Sequence, residues 1–568
     1  MAFIVKKNIH GKEYFYLNEN KRVEGKVKTK TLAYLGKSKK EAEKRAKEII
    51  KNLENGKRPM QEKEKIKNKK QDIKKEKLSE TKMEIQKISI EELTTFCKRK
   101  GFVYQSGELY GGFAGFWDFG HLGVEMKNNI KKLWWQFHVA EREDIVGIDG
   151  SIITNPQVWV ASGHVSSFVD VAIVNKKTKE KLKIDKFEAE NYKDNPDFEI
   201  KGEFNPMFTT QVGPVEGDSI KSYLRPETAQ LIFTNFKYVY DNARLKLPFG
   251  IAQIGKAFRN EIAPRDFLFR SREFEQMEIE YFINPKEEKC PYAIPDVEVF
   301  IYSEEIQKKN SEPIKMKIKD AFEKGIIKKE WHAYWLALEL LWFKNLGANL
   351  ENFRIRQHSK EELSHYSSDT WDLEYKFPFG WKELEGIADR GDYDLSQHEK
   401  SSKKDLKIFD ENSKEKILPH VICEPSLSVE RAFLVFMFDS YFYDSERENV
   451  ILKLNPKLAP IKAAVFPIVK TNKNIVKIAR EVYEELKKEF NVDYDSGGSV
   501  GRRYSRNDEI GTPFCITIDE ESLNKKDVTI RERDTKKQIR VKISELKNIL
   551  RKLIEKEIEF EAAGKIFK

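Results

Sequence analysis

With 568 residues, 39% of them hydrophobic and 12% aromatic, the chain is long enough for three or four structural units around at least one large core. No apolar run approaches the ~20 residues of a membrane span, and the opening MAFIVKKNIHGKEY lacks the apolar core and cleavage site of a secretory signal, so the cytoplasm is the expected compartment. Lys and Arg number 103 against 93 Asp and Glu, a net +10 that suits a polyanionic partner without demanding one. The cysteines, Cys97, Cys290, Cys423 and Cys515, stand far apart with no CxxC pair, which argues against a disulfide framework or a zinc site.

In chain order, EYFYLN and TKTLAYLG read as short strands with Asn and Gly turn residues between them. SKKEAEKRAKEIIKNLENG reads as a helix with a Ser N-cap and a Gly stop. Residues 1–56 thus form a small ββα-like extension, which resembles the N-terminal segment of some insertion-element transposases. Residues 57–88, Lys/Glu-rich and nearly free of apolar side chains as far as position 82, read as a linker or a solvated helix, because they cannot bury enough surface to offset the entropy of ordering. From Ile88 the composition turns globular.

The stretch GFVYQSGELYGGFAGFWDFGHLG reads as a tightly turning, packed segment. VEMKNNIKKLWWQFHVA reads as an amphipathic helix with Val124, Ile130, Leu133, Trp134 and Phe137 near one face. DIVGIDGSIITNPQVWVASGH reads as strands ending at Pro156. Two strands flank a polar loop over 249–282, a largely helical stretch covers 296–349, and strands and loops return over 351–395. A strand and a buried helix occupy 418–443. Beyond Asn455 strands and helices alternate as a compact α/β unit of ~110 residues.

The chemistry concentrates in FGIAQIGKAFRNEIAPRDFLFRSREFEQMEIEYF. Alternation puts Gln253, Gly255, Ala257, Arg259 and Glu261 on one face of the first strand, and Phe274, Gln276, Glu278 and Glu280 on a shared face of the second. Arg265, Arg270 and Arg272 in the loop suit bidentate phosphate contacts. Phe274 could stack a base, and the carboxylates could hold an ammonium group. An edge hairpin with a solvated charged face is the alternative, against which stands the depletion of Glu in strands. In HVICEPSLSVERAFLVFMFDSYFYD, Arg431 at the edge of an apolar helix needs an anionic partner, either Glu430 or a phosphate. In FPFGWKELEGIADRGDYDL, Glu383 and Glu385 alternate on one strand and could reach Mg²⁺ through few ligands.

These segments are recognisable together. FRNE…FRSREFEQMEIEYF resembles motif 2 of the class II aminoacyl-tRNA synthetases, EPSLSVERAFL resembles motif 3, and the helix and strand ending at Pro156 fit motif 1. With RPETAQ and RQHSKEELSHYSSDTWDLEYKFPFGWKELEGIADRGDYDL they are similar to the homodimeric type of glycyl-tRNA synthetase over roughly residues 89–568. The resemblance implies an α/β multidomain (α+β) protein. An antiparallel-sheet catalytic core would span 89–455, with a helical insertion near 286–349, and an α/β anticodon-binding domain would span 456–568. It implies ATP and Mg²⁺ as cofactors, glycine and tRNA(Gly) but not DNA as partners, no membrane, and a homodimer formed through motif 1.

The family pattern also assigns roles. Arg259 would contact the α-phosphate and the amino-acid carboxylate, and Arg431 would cover adenine and touch the γ-phosphate; these two are the catalytic pair. Asn260, Glu261, Phe269, Arg270, Ser271, Arg272, Phe274, Glu383, Leu384 and Ser428 would complete the ATP site, with Glu383 also at Mg²⁺. Glu227, Glu278, Glu424, Pro425 and Ser426 would join Arg259 around glycine. In the C-terminal loop GGSVGRRYSRNDEIG, Arg502, Arg503, Tyr504 and Arg506 would contact splayed RNA bases. The chain departs from the family at Ser428, usually Gly, and Glu430, commonly Asp. A class II enzyme for threonine or proline, and a non-catalytic tRNA-binding paralogue, stay open as alternatives.

Overall fold

A computed structural model describes residues 2–9, 12–23, 26–36, 39–54, 88–184, 192–193, 195–215, 218–364 and 366–567. The chain divides into two compact units, Met1–Ile85 and Gln86–Lys568.

In the first unit, strands Ala2–Ile9, Lys12–Val23 and Lys26–Gly36 form an antiparallel meander followed by helix Lys39–Glu54. Phe15, Leu17 and Leu35 from the strands meet Ala42 and Ala46 of the helix in a small core. The ββα expectation is therefore one strand short. NENKRV, turn-like by composition, extends a central strand that pairs on both sides, so sheet formation overrides local preference. The linker expected from position 57 lies, up to 87, outside the described residues.

The second unit is built on a nine-stranded sheet in the order Ile314–Lys317, Glu298–Tyr302, Phe353–Gln357, Asp369–Phe377, Gly380–Asp389, His420–Ser428, Glu273–Ile283, Phe249–Phe258, Ile145–Ile148. Its six central strands, from Phe353–Gln357 to Phe249–Phe258, are antiparallel. One face carries Met277, Ile279, Ile355, Leu373 and Leu427 into a large core shared with helices His121–Trp135, Glu330–Asn345 and Val429–Ser440. The other face is apolar only at one end, where Ile251 and Phe282 pack under helix Ala229–Ala243. Beyond that end it turns polar and opens.

Several local expectations are corrected. The insertion expected near 286–349 is only partly helical: EVFIY and IKMK are strands that widen the main sheet, and helices occupy Glu304–Lys308, Ile318–Glu323 and Glu330–Asn345. The alternating burial of EVFIY shows that its period was two. Between 144 and 156 only Ile145–Ile148 is a strand, with Ile153 making a single bridge to Leu224. The helix expected to bury Val124 instead buries Leu122, Met126, Lys127, Ile130 and Trp134, leaving Val124 exposed. The aromatic, Gly-rich segment is not wholly packed, since Leu109, Tyr110 and Phe113 are 88%, 91% and 77% exposed.

From Ala463 a second sheet runs Val492–Tyr494, Ala463–Pro467, Phe514–Ile518, Asp527–Glu532, Gln538–Lys542, Lys565–Phe567. The first three strands are parallel and the rest antiparallel. Helices Lys473–Leu486 and Ile543–Glu555 cover one face through Ile475, Leu486, Leu546 and Leu550. The architecture is thus a multidomain α+β protein.

Candidate active site

Antiparallel pairing sets Ala257 opposite Phe274, Gly255 opposite Gln276, Gln253 opposite Glu278 and Ile251 opposite Glu280. Directly opposed residues share a face, so the alternation read in the sequence becomes one wall of a cavity of about 840 Å³. Arg259, Phe274, Gln276 and Glu278 line it, joined by Glu227 from the turn before Ala229 and by Glu424, Ser426, Ser428 and Arg431 from the neighbouring strand and helix. Gly255 is required here, because a Cβ would stand 2.2 Å from the Arg225 guanidinium. Arg225 is buried and donates to the carbonyls of Lys256 and Gly150, each at 2.6 Å, so it braces the wall rather than facing the cavity.

One end of the cavity is crowded with carboxylates. Glu278 accepts from Ser426 Oγ at 2.7 Å and from Thr228 Oγ1. Glu227 faces His164 Nε2 at 3.1 Å and accepts from Gln230 at 3.1 Å. Glu424 accepts from Arg390 at 2.7 Å, and Arg390 forks onto Asp394 at 2.7 and 2.9 Å while stacking on Tyr366 at 3.8 Å. Glu280, fully buried, has no hydrogen-bond partner on either oxygen among the described residues. Burial opposes ionisation of Glu227, yet His164 and Arg390 outweigh it and hold its pKa well below the usual range. Burial, then the charge of Glu227, pushes Glu278 up. Burial also pushes Glu424 and Glu280 far up, Glu278 and Glu227 adding to the first and Glu424 to the second, against the pull of Arg390.

Such a cluster titrates as a unit and holds protons that an arriving ammonium group displaces. The carboxylates must be ionised to bind an ammonium, so affinity for an amino acid is lost as pH falls through their raised pKa values. The expected result is a KM for the amino acid that rises with acidification, with proton release on binding seen by calorimetry in buffers of different ionisation enthalpy. A flat KM and no proton release would contradict it.

The other end suits a nucleotide. The Arg259 guanidinium lies between the rings of Phe274 and Phe168, at 5.5 and 5.6 Å, and its Nε donates to the Pro226 carbonyl at 3.0 Å. Arg431 covers Phe269 at 4.7 Å and donates to Glu383 Oε1 and to the Glu383 carbonyl, both at 3.0 Å. Its partner is therefore Glu383 rather than Glu430, which pairs with Lys127 at 2.7 Å and accepts from the Glu275 amide at 2.9 Å. Glu383 is half exposed at the cavity mouth, and although partial desolvation there works against it, Arg431 together with His358 holds its carboxyl low. Glu261, at the cavity wall, has a buried Oε2 with no partner among the described residues, an acceptor suited to an exocyclic amine. Phe269, Arg270 and Ser271 also line the cavity.

Four expected site residues lie off the cavity. Asn260 is held through its amide to the Pro206 carbonyl at 2.7 Å. Arg272 donates to the carbonyls of Glu261 and Ala114, tying the loop down. Pro425 and Leu384 are buried, Leu384 within the large core. The strand Gly380–Asp389 carries a β-bulge, with Glu383 opposite Glu374 and Glu385 opposite Leu373. The extra residue, Leu384, breaks the period, so Glu383 faces the cavity while Glu385 turns into the core beside Glu339. There burial and Glu339 push its pKa far up. His164, Phe168, His358, Tyr366 and Arg390 were not singled out from the sequence. They come from separate segments with no local periodicity to mark them, and only folding brings them together.

Comparison with known proteins decides the family. A glycine–tRNA ligase of Acetivibrio thermocellus is 44% identical over 493 residues, covering 81% of this chain and 97% of its own. Those of Thermobifida fusca and Clostridium kluyveri are 42% and 43% identical over 491 and 502 residues, covering 81% and 82% of this chain and 97% and 99% of theirs. The chain belongs to the glycine–tRNA ligase family. An anticodon binding domain family matches residues 462–553, and the N-terminal domain of the IS1634 family transposases matches residues 4–64.

Within this glycine–tRNA ligase family member, the four C-terminal residues expected to meet RNA fall on helix Val500–Glu509 rather than in a loop. Arg503 is buried and donates to the carbonyls of Pro467, Asp495 and Ile468 at 2.7, 3.2 and 3.2 Å. The Tyr504 hydroxyl pairs with Thr517 at 2.7 Å and its ring packs on Phe466. Neither offers a free surface to a base. Arg502 and Arg506 are exposed, although Arg506 is engaged with Asp495 and the Gly497 carbonyl. Arg503→Ala is expected to destabilise the protein by about 2–3 kcal/mol, since it strips charged donors from buried carbonyls. Arg502→Ala should leave the urea midpoint unchanged, and equal midpoints for the two variants would contradict the assignment.

Proposed function

We infer that the chain activates glycine with ATP to glycyl-adenylate and transfers glycine to the 3′ end of tRNA(Gly). The observation that carries this reading is one cavity with a carboxylate-crowded end and an arginine–aromatic end, meeting at Arg259. Arg259 binds both the amino-acid carboxylate and the α-phosphate and offsets the charge that builds between them. The glycine carboxylate is already a nucleophile, so no general base is needed, and the rate comes from alignment and charge stabilisation. Glu261 accepts from the adenine amine, Phe274 stacks the base, and Arg270 and Arg431 reach the outer phosphates. Mg²⁺ bound to those phosphates would neutralise the triphosphate, with Glu383 supplying a single protein ligand.

Glu227, Glu278 and Glu424 hold the ammonium. Glu278 is pinned by Ser426 and Thr228, and Glu424 by Arg390, so neither can swing aside to admit a side chain. A hydrophobic pocket gains only ~1–3 kcal/mol per methylene, whereas a clash with pinned carboxylates excludes alanine outright. ATP–pyrophosphate exchange with glycine, alanine, serine, threonine and proline tests the reading. Exchange with glycine alone is expected, and exchange with threonine or proline would favour the alternative specificities. None at all would favour a tRNA-binding paralogue.

We further assign 89–455 as the catalytic domain and 456–568 as the anticodon-binding domain, with Arg502 and Arg506 retained as RNA contacts. A homodimer through the 121–135 helix is supported by exposed Val124 and by Leu109, Tyr110 and Phe113 nearby in sequence, apolar side chains suited to a partner subunit. Light scattering should give twice the chain mass. A cytoplasmic location is in keeping with the absence, among the described residues, of any helix long and apolar enough to cross a membrane.

A further inference from the structure

The positive charge of the chain is concentrated in its N-terminal unit. Residues 1–85 hold 26 Lys and Arg against 13 Asp and Glu, while the remaining 483 residues hold 77 against 80. The rest of the chain is thus slightly acidic, although its substrate is a polyanion. The relatives align over 97–99% of their own length but only 81–82% of this chain, which leaves about a fifth of it without a counterpart in them.

The excess is mounted on a folded element. Within residues 1–54 there are 15 Lys and Arg against 7 acidic residues. Helix Lys39–Glu54 buries Ala42 and Ala46 against the sheet, which fixes its opposite side outward. Lys44, Lys47 and Lys51 are exposed at i, i+3 and i+7, one basic stripe along two turns. At one end of the sheet, the register sets Lys21 opposite Lys28 and Val23 opposite Lys26, so positions 21, 22, 26 and 28 bring four basic residues to a single hairpin.

We propose that the N-terminal unit is an RNA-binding module that grips the phosphate backbone of the tRNA which the same chain charges. The proposal rests on the tRNA-charging reading above. Tethered to the catalytic part, the module raises the effective concentration of tRNA without touching the chemistry. It acts through counterion release and carries no base specificity of its own. RNA is favoured over DNA because the rest of the chain belongs to a tRNA ligase family and matches an anticodon binding domain.

The test uses the full-length protein carrying Lys44→Gln, Lys47→Gln and Lys51→Gln together. At about 0.1 M salt the KM for tRNA should rise about five- to tenfold, and the slope of log KM against log salt should fall by about two. The kcat and the tRNA-independent ATP–pyrophosphate exchange should not change. A companion protein with Arg at the same three positions should keep the original KM. An unchanged KM and slope in the Gln protein, or equal losses in the Gln and Arg proteins, would overturn the proposal. Loss of affinity for duplex DNA in the Gln protein with an unchanged KM for tRNA would overturn the choice of tRNA as the ligand. Failure of the underlying ligase reading shows separately, as loss of glycine-dependent exchange in the unaltered protein.

Discussion

Arg259→Ala is expected to abolish glycine-dependent ATP–pyrophosphate exchange, lowering kcat by at least about 10²–10³-fold, while tRNA binding persists. The guanidinium is held before substrate arrives: Nε is anchored to the Pro226 carbonyl at 3.0 Å, and the plane sits between Phe168 and Phe274. That leaves its terminal nitrogens as a preformed fork where two anions must be brought together. Two negatively charged reactants repel, and in the proposed role the fork is the group that makes their approach favourable. Lys at this position should not restore activity, because a point charge cannot hold the anchor and bind two oxygens at once. Exchange activity unchanged from the parent would remove Arg259 from its assigned role.

Arg390→Met should be the most damaging single change to stability at the site, costing about 3–5 kcal/mol at neutral pH. Arg390 is buried and carries bonds to Asp394 and Glu424, with Glu227 at 4.0 Å. Its removal leaves three carboxylates close together without their shared counter-charge. The folded-state pKa values of Glu227 and Glu424 then rise relative to the parent, so the destabilisation is full above the raised folded-state values. It fades as pH falls and the groups protonate in the native state. Urea midpoints for parent and variant should therefore diverge at pH 7 and converge towards pH 5. A constant difference across that range would mean that Arg390 acts by packing on Tyr366 and Phe233 rather than by charge.

Much of the site was legible because a strand has a period of two. The alternation of Arg259, Phe274, Gln276, Glu278 and Glu280 survives intact, since Phe249–Phe258 and Glu273–Ile283 pair without a break from Phe249 to Phe258. Glu383 and Glu385 obey the same rule on paper and fail it in the fold, because a bulge has no signature in alternation. Arg503 and Tyr504 look like RNA contacts by residue type, but a ten-residue helix rolls them inward. Arg390 and His164 could not be found from local pattern at all. Their meaning lies in long-range neighbours, Glu424 and Glu227, reached only after the sheet and its flanking helices assemble. The widening strands Glu298–Tyr302 and Ile314–Lys317 were missed for the opposite reason: they are short, and helices on either side swamp their alternation.

The bulge at Leu384 also sets which genetic changes this strand can absorb. Replacing Leu384 by another apolar residue keeps the count of positions, and with it the direction of each neighbour. Deleting it would make Glu383 and Glu385 neighbours on opposite faces, which is where the register already puts them, so neither side of the strand has to turn over. Where the pairing is one to one the outcome differs: without Gly386, either Glu385 or Ile387 must leave the core face. The strand should therefore tolerate a change of length at Leu384 and almost none elsewhere, so that the bulge is the one place where its length and its facing are uncoupled.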